Sequence, residues 1–147
     1  MVLAVGIGMV ALLIRSAGTA DAPEPTGASP VATLLDVSAA TAAASATATG
    51  GVTGSEAAHP CNLEGAPGSV DHLTAGIDVG GADPDVVLDR LQAFWREEAT
   101  ERPPVDVTHV VRVADATVRG AAGGFTVSAA VDDGRLVLVA DSACRPR

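Results

Sequence analysis

Two cysteines and three histidines carry most of the potential chemistry in this 147-residue chain, and their spacing limits what that chemistry is. Cys61 and Cys144 stand alone, so they match neither the Cys-x-x-Cys of a redox centre nor the close grouping of a zinc knuckle. Two cysteines that flank a small domain are expected to pair with each other. Closing the loop between positions 61 and 144 contributes roughly 4–5 kcal/mol by the chain-entropy argument. His59, His72 and His109 are kept apart in sequence by a predicted strand and a predicted helix, whereas a zinc or copper centre needs three or four ligands converging at about 2 Å. His59-Pro60-Cys61 is the one close grouping, so no metal site and no cofactor is assigned. His109 falls on the valine side of its predicted strand; with Phe94 and Trp95 it would line a ligand cavity between helix and sheet if one were present, and otherwise help fill a core.

Catalytic signatures are missing. The chain has no Gly-x-Ser-x-Gly elbow, Walker loop or Rossmann glycine pattern, and no catalytic residue is assigned. Its carboxylates are plentiful, but acid–base work needs two that converge on one cleft. The run from Asp78 to Asp83 lacks the ligand order of a calcium loop, and Gly80-Gly81, with acidic neighbours and no lysine, predicts a turn rather than a phosphate cradle.

Eighteen acids against nine bases, every base an arginine, give a net charge near −9. Nucleic acid is excluded as a partner because phosphate binding needs clustered positive charge. Adhesion to anionic headgroups is excluded for the same reason, so any membrane contact must run through an apolar segment. Such a segment opens the chain: Met1 to Ile14 is apolar throughout and, as a helix, rises only about 21 Å, short of a ~30 Å hydrocarbon core. Residues 1–20 are therefore read as a signal peptide, with Gly18-Thr19-Ala20 offering a cleavage site after Ala20, or as a membrane anchor. No base precedes the run, and Arg15 lies on its far side, which departs from the usual signal pattern.

Residues 21–56 are rich in Ala, Thr, Ser, Gly and Pro, with side chains too small to offset ~1–2 kcal/mol per residue of ordering entropy. They are read as a disordered linker. Val31, Leu34, Leu35 and Val37 would make one helical turn there with almost nothing to pack against.

Patterning then begins, and residues 57–147 are read as one small α+β domain. Leu73, Ala75, Ile77 and Val79 alternate with polar residues, the period of a half-buried strand. Asp83 and Pro84 supply an N-cap and first helical position for a helix whose apolar stripe is Val87, Leu88, Leu91, Phe94 and Trp95. A strand follows with Val105, Val107, His109, Val111 and Val113 on one face, and the stretch from Ala116 to Arg119 either extends it or forms another. After a loop from Gly120 to Gly124, the run from Phe125 to Asp141 folds back at Asp132-Asp133-Gly134 as a hairpin. The expected architecture is one amphipathic helix packed on a curled antiparallel sheet of four to five strands in β-α-β-β-β order, preceded by an apolar N-terminal helix and the linker.

The function expected from these features is that of a non-enzymatic extracytoplasmic module, secreted or anchored, that binds a protein or cell-envelope component through its exposed sheet face. Two alternatives remain. One is a small-ligand carrier or small enzyme with a cavity between helix and sheet; the other is a secreted inhibitor that projects the loop from Gly120 to Gly124.

Overall fold

The computed structural model describes residues 29–44, 46, 51–102, 105–114 and 117–147. The apolar segment 1–20 with its cleavage site, the early linker, Pro103-Pro104 and the Asp115-Ala116 junction lie outside the described residues. The elements run α1 (Pro30–Ala43), β1 (Thr53–Leu63), β2 (Ala66–Asp78), α2 (Pro84–Glu97), β3 (Val107–Ala114), β4 (Thr117–Ala122), β5 (Phe125–Asp132), β6 (Arg135–Ser142) and β7 (Arg145–Pro146). All pairings are antiparallel, in the order β1-β2-β6-β5-β4-β3, with the short β7 beside β2. The fold class is α+β, as the alternation implied, but with seven strands rather than four to five and with a second helix. Among the described residues, no helix is long and apolar enough to cross a membrane.

The second helix corrects the linker assignment. Val31, Leu34, Leu35, Ser38, Ala39 and Ala42 recur at the helical interval and are all buried. Ser29 caps the helix by accepting the Ala32 N–H at 3.1 Å, and Pro30 occupies the first turn, where its missing N–H costs nothing. The water side of α1 is Ala and Thr with a single acid, Asp36, so the sequence has little polar contrast to betray the buried stripe. That stripe packs with α2 against one face of the sheet, in a cluster with Leu73, Ile77, Leu88, Leu91, Phe94, Trp95, Leu136 and Leu138. The Trp95 indole N–H donates to Ser38 Oγ at 2.8 Å in the interior, joining the two helices. The folded unit thus includes residues 30–43, and it includes the start of β1 from Thr53, both of which composition placed in the linker.

Three tight two-residue turns connect neighbouring strands. Glu64-Gly65, Gly123-Gly124 and Asp133-Gly134 all have positive φ, the geometry that matches strand twist in a hairpin. The Asp-Gly turn is legible in the sequence. Glu64-Gly65 is not, because glutamate is an uncommon residue in the left-handed region, and β1 escapes notice with it. The expected loop from Gly120 to Gly124 is corrected likewise: β4 continues to Ala122, Gly120 is buried, and only Gly123-Gly124 turns. A Cβ at Gly120 would stand 2.8 Å from Val107 Cγ1, so the strand position requires glycine.

The alternation in β3 is broken at His109. This residue has φ +54° and sits at a register shift between Thr108 and Val111. A bulge inserts one unpaired residue and so reverses the facing of the residues beyond it. Val105 and Val110 are therefore buried, whereas Val111 and Val113 are exposed, correcting the single valine face read from sequence.

Two substitutions test the place of α1 in the core. Leu34→Ala is expected to lower stability by about 2–5 kcal/mol through the cavity it leaves, measured by denaturant unfolding. Ser38→Ala is expected to cost about 1–3 kcal/mol by stranding the buried indole N–H. Unchanged stability in both variants would place residues 30–43 outside the cooperative unit.

Candidate functional site: the open sheet face and its disulfide end

Among the described residues, helices cover one face of the sheet and not the other. Strand register arranges the other face in rows that cross six strands. One row runs Thr53, Gly76, Val137, Ala130, Thr117, Ala114, and the next Ser55, Thr74, Val139, Ser128, Arg119, Val111. The six strands make this array about 24 Å wide at ~4.8 Å per strand. In a chain with twice as many acids as bases, Arg119 is the single charged side chain in the two rows. Val111 and Val137 stand out of it, 50% and 38% exposed. Charged residues gather at the ends of the face: Asp78, Arg135 and Asp132 share one register position beyond Val137. The two rows are thus low in charge, with most of the charged residues of this face at their margins.

The opposite end carries a further row, Ala57, His72, Asp141, Thr126, Ala121, Thr108. His72 Nδ1 lies 2.6 Å from Asp141 Oδ1, bridging β2 and β6. His59, one diagonal step away on β1, sets its ring edge-on to that of His72, with centroids 5.4 Å apart and planes at 70°. Arg145 pairs with Asp71, whose backbone N–H donates to Ser142 Oγ at 2.9 Å. Each exposed ion pair is worth only about 0–1 kcal/mol.

Cys61 and Cys144 form a disulfide with Cα atoms 6.1 Å apart, closing 83 residues of chain and tying β1 to the C-terminal segment. Gly68 makes this possible. It pairs with Cys61 on one side and Pro146 on the other, and a Cβ placed there would meet Cys144 Sγ and the Arg145 carbonyl oxygen at 2.7 Å. The requirement for glycine at 68 is invisible in sequence, where Pro67-Gly68 resembles an ordinary turn.

The three residues expected at a ligand cavity are not brought together. Phe94 and Trp95 are 2% and 1% exposed within the core, and His109 is on the surface with its Nδ1 3.4 Å from Thr108 Oγ1. The described clefts lie elsewhere and open to solvent. The larger, about 520 Å³, runs between α1 and the β1–β2 hairpin past Leu35, Asp36, Gly54 and Glu56. Another, about 420 Å³, lies beside Val31, Val105 and Phe125. The aspartates considered for calcium serve the backbone: Asp78 Oδ1 accepts from Gly80 N–H, and Asp83 Oδ1 from Asp85 N–H at the start of α2. On the helix side, Arg112 reaches Asp85 and Asp89 of α2 and closes that end of the core. No family model, curated protein or solved structure matches the chain.

Gly68→Val is expected to block closure of the disulfide, because a backbone oxygen and a sulfur occupy the space the side chain needs. Alkylation and mass measurement should then find two thiols where the unaltered protein offers none. Removing the bond directly, with both cysteines changed to serine, is expected to cost about 2–5 kcal/mol in unfolding experiments.

Proposed function

We propose that the chain is a non-enzymatic extracytoplasmic binding module that engages a protein partner through the open face of its sheet. The observation that carries this is the middle of that face, where Val137 and Val139 stand among small and hydroxylic side chains, with Arg119 to one side and the Arg135 guanidinium, which donates to Thr53 Oγ1, to the other. A strip low in charge between charged margins suits contact with another protein, since interface cores are depleted of charged residues. An array six strands wide exceeds the footprint of small ligands, which select concave pockets.

The disulfide supports an oxidising compartment, since such bonds persist outside the reducing cytosol. Export by the apolar segment 1–20, whether cleaved or retained as an anchor, accords with that. The interior between helices and sheet is occupied by Leu34, Leu35, Leu88, Leu91, Phe94 and Trp95, each at most 2% exposed, so the carrier or enzyme alternative rests instead on the open cleft of about 520 Å³ between α1 and the β1–β2 hairpin. The inhibitor alternative loses its projecting loop to the Gly123-Gly124 turn.

A photo-crosslinking side chain at Ser128 is expected to form one discrete adduct in envelope preparations, and the same group at Glu97 on α2 to form none. Val137→Arg should reduce the Ser128 adduct at least about tenfold by placing an unpaired charge in the contact, with thermal stability unchanged. Adducts at Glu97, or an Arg variant that crosslinks as before, overturn the assignment of the face; an adduct of two copies of the chain replaces the foreign partner with self-association.

A further inference from the structure

We propose that His59 and His72 form a surface chelate for a divalent transition-metal ion of the zinc and copper class, with Asp141 as the positioning residue behind it. The β1–β2 hairpin creates this site from residues that sequence separates. Its register sets His59 opposite Val70 and His72 opposite Ala57, so the two histidines are diagonal neighbours on the outward face, within reach of each other.

The ring geometry suits a shared ion. A metal about 2.0–2.1 Å from one nitrogen of each imidazole lies about 3.2 Å from each ring centre, and a tetrahedral angle between them spaces the centres about 5 Å apart. The observed separation is 5.4 Å. The rings meet edge to face at 70°, so rotation of the solvent-exposed His59 side chain is the movement that brings a nitrogen of each ring onto one ion.

Asp141 supplies what metal-binding histidines regularly have behind them. The His72 Nδ1–H donates to Asp141 Oδ1 at 2.6 Å, which fixes the ring orientation and, in neutral imidazole, leaves the Nε2 lone pair available. The His72 side chain is 33% exposed and His59 is open to solvent, so an ion reaches both without rearrangement of the fold. The disulfide lies on the same face two residues along β1 from His59, and it holds this end of the hairpin to the segment after Asp141.

Among the described residues, no three His, Cys, Asp or Glu side chains converge as a metal cage. The chelate therefore has two protein nitrogens, with water completing the coordination. Imidazole pairs of this kind favour copper, nickel and zinc over magnesium and calcium, which take oxygen ligands.

The test is calorimetric titration of the tag-free, disulfide-bonded full chain with zinc and copper(II) salts, at a pH well above the ordinary imidazole range. One ion per chain is expected. His59→Ala and His72→Ala should each weaken binding about a hundredfold, and Asp141→Asn about tenfold, in line with losses of outer-shell partners; His109→Ala should leave it unchanged. Copper(II) broadening of imidazole NMR signals in the unaltered protein gives a second measurement that needs no variant, and it should select His59 and His72 together. Absence of binding, binding indifferent to either histidine, or broadening centred on His109 overturns the proposal.

Discussion

Burying one face of a broad antiparallel sheet with very few aromatic residues is the constraint on which the rest of this structure depends. One tryptophan, two phenylalanines and no tyrosine leave the core to leucine, valine and alanine. Such side chains are short, so a single helix covers too little of a six-strand face. The chain meets this with two helices, α1 and α2, and seats Trp95 where they meet. Its indole N–H then lies away from water and requires an acceptor, which Ser38 provides at 2.8 Å. The one buried polar side chain among the described residues is thus the partner of the largest buried apolar one.

This arrangement explains which parts of the fold are legible in the sequence. The helix α2 is legible from its cap, its proline and the contrast between Leu91 or Phe94 and the charged residues around them. The hairpin from Phe125 to Ser142 is legible from strict alternation and an Asp-Gly turn. The helix α1 is not, because amphipathic analysis depends on charge on the water side, and α1 presents Ala and Thr there. Its stripe of Val31, Leu34, Leu35, Ser38, Ala39 and Ala42 becomes visible only once a surface exists for it to cover. Composition arguments of the kind that identify linkers compare burial with ordering entropy locally, whereas α1 recovers its cost through contacts with α2, β2 and β6, all distant in sequence.

The site residues divide in the same way. The pairing of Cys61 with Cys144 is legible from position alone, since two isolated cysteines at the ends of a small domain have few other fates. The neighbouring arrangement of His59, His72 and Asp141 depends on cross-strand register, which is set by the Glu64-Gly65 turn and by the β2–β6 pairing over a separation of 69 residues. Register moves in steps of one residue, and a single step transfers a side chain to the opposite face. His109 illustrates the consequence: one bulged residue in β3 sends it and the later valines Val111 and Val113 to solvent, against the alternation that precedes them.

The sheet edges bear on the proposed role of the open face. An exposed edge strand offers unpaired N–H and C=O groups to any extended chain, and natural sheets guard against this with proline, bulges and irregular pairing. Both edges here carry such features. Pro60 interrupts the donors of β1, and β3 has two register shifts along its length, with His109 in the left-handed region at one of them. Backbone pairing at either edge is discouraged, while the rows between them run continuously across the strands. The disulfide anchors the turn end of the β1–β2 hairpin, which extends beyond the β6 pairing, to the C-terminal segment. On the proposed reading, recognition by this face would rest on side-chain complementarity around Val137, Val139, Ser128 and Arg119 rather than on strand addition at an edge.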